Sequence, residues 1–155
     1  KSKQAGIWEN DITEIGYKYQ MTDIAAAMGI AALSEFDEQS QIRKALFQVY
    51  EEELVSCERL RVLGGGYKDR EHAAWLFTVI VEERYKLQEK LRDNNIESNQ
   101  VHFRNDRYSI FKEFTDGKKF PNMDKVEDDY LVLPLHTKMT VKDVRKVCSV
   151  IKSGW

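Results

Sequence analysis

The sequence predicts an α+β fold: two N-terminal helices, one of them long, lead into a small, mainly antiparallel sheet with helices packed on it. Three observations carry this. Apolar residues recur at helical spacing across residues 22–60. From residue 73 the pattern changes to β-branched and aromatic runs alternating with single helices, in the order strand, helix, strand, irregular, strand, helix. The 155 residues are enough to bury roughly 70% of the unfolded chain's surface around one core.

Residues 1–21 are weakly periodic and read as an extended arm, apolar only at Ile7, Trp8, Ile12 and Ile15. Thr22 then supplies a cap for the free amides of a helix, and Asp23 puts a negative charge at its positive end. Ile24 to Ala32 is apolar all round, so that helix is expected to be buried on every side. Ala25, Gly29 and Ala32 make one of its faces small enough for another backbone to approach. A second, long helix follows from about Glu35 to Leu60, its apolar face marked by Ile42, Leu46, Val49, Tyr50 and Leu54 and its wet face by Glu38, Lys44, Glu51 and Glu52. Gly64-Gly65-Gly66 ends it. No strand leads into these glycines and no Lys-Ser/Thr follows, so they read as a turn between domains and not as a phosphate loop.

Residues 74–81 are apolar on both faces and read as a central strand. Arg84–Asn94 is helical, with Leu87 and Leu91 one turn apart, and Asn94-Asn95 stops it with a residue type that tolerates the left-handed conformation. Residues 96–103 are a second strand candidate. Short helical turns are expected around 110–114 and 126–130. Residues 131–133 form a third strand, closed by Pro134, which has no amide to give a ladder. Thr140 and Asp143 make a capping box for the last helix, whose inner face is Val141, Val144, Val147, Cys148 and Ile151.

Composition narrows the function. Twenty-four lysines and arginines face 26 acids, so nothing basic points to nucleic acid or an anionic membrane. The longest apolar run, residues 73–81, is too short to span a bilayer, and the start does not resemble a signal peptide. Cys57 and Cys148 lie far apart and read as reduced packing residues of a cytoplasmic protein, with a disulfide as the alternative. His72, His102 and His136 have no metal-ligand spacing, and no serine sits in a nucleophile elbow. The densest chemistry is residues 101–108, V-H-F-R-N-D-R-Y, with an imidazole, two guanidiniums, an amide and a phenol at the end of a strand candidate. Guanidinium forks bind phosphate, so an anionic ligand and a loop satisfied by its own hydrogen bonds are both open here.

Gly16, Tyr17, Tyr19, Met21, Thr22, Asp23, Ala26 and Ala27, in that order, resemble the G-Y-N-Y-R-M-T-D/E…A-A segment of the DegT/DnrJ/EryC1/StrS family of pyridoxal-phosphate sugar aminotransferases. Lys18 and Gln20 stand where that family usually has Asn and Arg. The likeness continues at Val101-His102-Phe103, similar to the start of V-H-Y-x-P-L-H, and at Leu133-Pro134-Leu135-His136. It implies the C-terminal domain of a fold-type I aminotransferase, laid out as an arm from a large domain (1–21), interface and connecting helices (22–63) and a small α+β domain (72–155). It implies amino transfer from glutamate to a keto sugar carried on a nucleotide, in a homodimer. The cofactor-bearing lysine belongs to the family's large domain. Lys1 and Lys3 fall too close to the motif and lack the S-F-x-x-x-K context, so no catalytic residue is assigned and the chain is expected to be inactive alone. The motif Asn reaches the cofactor phosphate of the neighbouring subunit, a place taken here by Lys18. His102 and Arg104 are expected to line the substrate approach. The alternative is a free-standing dimerising or ligand-binding module derived from that domain.

Overall fold

The computed structural model describes residues 14–64 and 69–155. The chain divides into two compact units between Glu35 and Phe36. The first contains the start of helix α1 (Asp23–Leu54), where the Thr22 hydroxyl accepts from the Ala25 amide at 3.2 Å, as its cap role requires. The two helices expected before the sheet are one continuous helix of 32 residues. Neither Gly nor Pro stands between Leu33 and Phe36 to break it, and Ser34 is accommodated by donating its hydroxyl to the Ala31 carbonyl at 2.7 Å. The helix also stops at Leu54, short of the expected Leu60.

Leu60 opens a strand that the periodicity did not single out, β1 (Leu60–Val62). It pairs antiparallel with β2 (Phe77–Val81), which pairs antiparallel with β3 (Tyr130–Leu133), so β2 is central as expected. Burial alternates along β2: Phe77, Val79 and Val81 face the core, where Leu131 and Leu133 of β3 join them. Leu46, Phe47, Tyr50 and Leu54 of α1 close over the same core, with the Tyr50 and Phe77 rings stacked at 4.4 Å and Phe47 meeting Phe77 edge-on at 4.8 Å. The Tyr50 hydroxyl donates to the Pro134 carbonyl at 2.9 Å, so this buried phenol is paired; burial raises its pKa well above the ordinary tyrosine value. Helix α2 (Arg84–Asp93) packs on helix α5 (Val141–Lys152) through Leu87, Leu91, Val144, Val147, Cys148 and Ile151. Cys57 and Cys148 are free thiols.

Some details differ from expectation, while the helical turns around 110–114 and the left-handed stop after α2 match it. Strand β2 begins at Phe77 and not at 74, because Ala74 sits at φ 51°, outside the strand region. Residues 96–103 contribute only a bridge, Asn99 to Val132, and no strand. The helical turns of the connecting segment lie at Asn105–Arg107 and Ser109–Phe111 (both 3₁₀), at α3 (Lys112–Thr115) and at α4 (Pro121–Asp124); residues 126–129 are turn. Asn95 takes the left-handed conformation after α2 at φ 57°. Gly64, at φ 92°, makes a turn after β1 where a β-carbon would meet the His72 imidazole at 2.5 Å, so glycine is required there on both counts. Gly65, Gly66 and most of the expected arm lie outside the described residues. The helix start from Ile24 to Leu33, expected to be covered, is exposed in this chain: Ile24, Met28, Ile30 and Leu33 all face outward.

Candidate functional site

The sheet has a second face. Thr78 of β2 and Val132 of β3 are register partners, and both point away from the core. They form the floor of an open cleft of about 780 Å³ walled by residues 101–123. The wall is irregular because its backbone bonds are local: Arg107 N to Arg104 O, Tyr108 N to Asn105 O, and Phe111 N to Tyr108 O each close a single tight turn. Side chains therefore have to fix the segment in place.

Arg104 does most of this. Its side chain is only 5% exposed. The Nε and Nη2 groups donate to the two Asp106 carboxylate oxygens at 2.9 and 2.7 Å, and Nη1 donates to Asp124 at 2.6 Å and Glu127 at 3.1 Å. Arg107 adds an ion pair to Glu127. One guanidinium thus ties the start of the excursion to its end, twenty residues on, with bidentate geometry toward Asp106. The Arg104 hydrogen bond and charge hold the Asp106 carboxyl below the usual aspartate range. The three carboxylates in turn push the guanidinium further up, so it is charged throughout.

His102 lines the same cleft. Its carbonyl accepts a hydrogen bond from the Tyr130 hydroxyl, and its ring lies 6.0 Å from that of Trp75. The structure therefore brings together the two residues assigned to the substrate approach. Lys18 belongs to the first unit, where it is exposed, and is not among the residues lining the cleft. Beside it Tyr17 and Tyr19 contact each other at 5.7 Å. No group of three or more His, Cys, Asp or Glu side chains among the described residues is placed to hold a metal. Among the described residues no helix is long and apolar enough to cross a membrane. What sequence reasoning missed is the aromatic wall formed by Phe111, Phe114 and Phe120, together with the acids Asp124 and Glu127. The only sequence signal for them is a scatter of apolar and acidic residues with no regular period.

A long helix, a three-stranded antiparallel sheet and a closing helix are an arrangement this chain shares with solved aminotransferase structures. The structure superposes on the sugar aminotransferase CalS13 of Micromonospora echinospora with a TM-score of 0.85 and 28% identity, covering 94% of this chain and 38% of that one. The chain belongs to the DegT/DnrJ/EryC1/StrS aminotransferase family, whose profile it matches over residues 1–152. That family uses pyridoxal phosphate. Among curated relatives, an uncharacterized protein of Methanocaldococcus jannaschii is 33% identical over 95% of this chain and 40% of its own length. The UDP-4-amino-4,6-dideoxy-N-acetyl-beta-L-altrosamine transaminase of Campylobacter jejuni is 26% identical over 91% of this chain and 39% of its own length. The chain thus spans about two fifths of the relatives it matches.

Proposed function

We propose that this chain is the C-terminal domain of a pyridoxal-phosphate-dependent nucleotide-sugar aminotransferase, which moves an amino group from glutamate to a keto sugar. The supporting observation is the family match along residues 1–152, set beside relatives of which the chain spans two fifths. In this reading residues 1–21 are the arm from the large domain, residues 22–63 the interface and connecting helices, and residues 72–155 the small domain. The cofactor-bearing lysine lies outside these residues, and the chain alone is inactive. The enzyme is a cytoplasmic homodimer. Pyridoxal phosphate supplies the electron sink for amino transfer, and Lys18 approaches its phosphate from the neighbouring subunit as a point charge. His102 and Arg104 line the substrate approach, Arg104 by holding the wall in shape.

The test has two arms. Pyridoxal phosphate added to the chain alone is expected to give no lysine-dependent absorbance band, whereas a stable band abolished by replacing one lysine of this chain would overturn the inactive assignment. The chain joined to a family large domain is expected to transfer an amino group from glutamate to a nucleotide-linked keto sugar. No transfer by a folded, cofactor-loaded assembly would overturn the function.

A further inference from the structure

The cleft has a charged wall that is closed to ligands and an aromatic wall that is open to them. Both Nη1 contacts, one Nη2 contact and the Nε contact of Arg104 go to carboxylates at 2.6 to 3.1 Å. Arg107 is paired with Glu127. Two guanidiniums therefore face three carboxylates, and the cluster carries one negative charge in excess. A phosphate entering here would have to displace Asp106 or Glu127 from short, charge-assisted bonds and would meet net repulsion at close range.

The aromatic residues are available. Phe103, Phe111 and Phe114 line the cleft and are 55%, 40% and 60% exposed, with Tyr108 set edge-on to Phe103 at 5.2 Å. Exposed aromatic side chains lining a concavity offer a stacking platform for a flat, uncharged group. On the floor and rim, the Thr78 hydroxyl and the Asn105 side-chain amide form no hydrogen bond among the described residues, so neutral polar groups remain to read the edge of such a ring.

We propose that this cleft takes the uncharged base of a nucleoside by stacking and excludes its phosphate. The inference rests on the reading of the cleft as a substrate approach, and assigns to it the neutral ring of the ligand while leaving the anionic part to other residues. Arg104 is then a positioning residue: it holds the aromatic wall and does not receive the anion.

Uridine and uridine 5′-monophosphate share base and ribose and differ only in the charged group. Each is titrated into the full chain at low salt, following amide shifts of residues 101–132. Both are expected to saturate, with the monophosphate binding no tighter than the nucleoside. Phe114→Ala is expected to weaken both by about tenfold, and Phe111→Ala is an independent second probe on the same wall. Glu127→Gln removes one carboxylate from the cluster and is expected to shift the preference toward the monophosphate. Tighter binding of the monophosphate by the unaltered chain would overturn the proposal. So would the absence of saturable shifts with either probe, or unchanged affinity in both folded phenylalanine variants. Amino transfer by the assembled enzyme without uridine shifts in the cleft would remove this inference and leave the function. Uridine shifts in a chain that never supports transfer would do the reverse.

Discussion

Replacing Asp106 with asparagine isolates the pH dependence built into the Arg104 cluster. The folded carboxyl is held below its ordinary value by the guanidinium, so the unfolded state binds its proton first as pH falls. The stability this group contributes is therefore complete above the ordinary aspartate value of about 3.9 and is lost as pH falls through the lower folded value. Asp106→Asn is expected to lower the urea midpoint at neutral pH, with the two chains converging as pH falls below the ordinary aspartate value. A gap that stays constant over that range would show that the carboxyl titrates alike folded and unfolded. At this scale the sequence was only half readable. Arg104 was recognisable as a chemically dense residue next to His102, but its partners Asp124 and Glu127 lie twenty or more residues on, in a segment without periodicity. A guanidinium looks the same in a sequence whether it awaits an anion or already holds three carboxylates.

Elements were legible where a local signal agreed with a long-range one. Helix α5 combines a box at Thr140 and Asp143 with an inner face of Val144, Val147, Cys148 and Ile151, while Val141, expected on that face, is exposed in the first turn; the Asp143 amide donates to Thr140 Oγ1 at 3.3 Å and the Thr140 amide to the Asp143 carboxylate at 2.8 Å. Thr140→Ala is expected to cost about 1 kcal/mol, read as a lower thermal or urea midpoint, while an unchanged midpoint would mean the cap amides find water equally well. Helix α1 shows the opposite case. Its first half is apolar all round and its second amphipathic, so the change of pattern at Ser34 looked like a boundary, although no residue there interrupts the backbone. Pattern reports which neighbours a helix has, and neighbours can change along one rod. Strand β1 escaped notice because three residues are too few to show alternation. Residues 96–103 have strand composition, yet only Asn99 reaches β3; composition does not say whether an edge is long enough to pair.

For the molecule as a whole, the feature with the largest consequence is an exposed apolar surface where burial was expected. Ile15, Tyr17, Tyr19, Met21, Ile24, Met28, Ile30 and Leu33 are between 69% and 94% exposed. Soluble monomers expose apolar side chains singly, and a run of this kind in one unit is the surface at which association is expected. Gly29 has nothing within 4 Å of a would-be β-carbon, so the helix can be approached closely along that side. The first unit is thus expected to drive self-association. In sedimentation velocity the chain should shift to faster-moving species as its concentration rises, and Ile24→Gln with Met28→Gln should return it toward monomer. Both substitutions lie on the exposed helix surface and leave the core of residues 46–151 untouched, so the folded signal of the second unit serves as the internal control. Each replacement removes one apolar side chain from the surface and inserts a good helix former, so α1 itself should persist. A single slow boundary at every concentration would mean that this surface is stable in water as it stands. It would also remove the main physical reason for reading residues 22–63 as an interface.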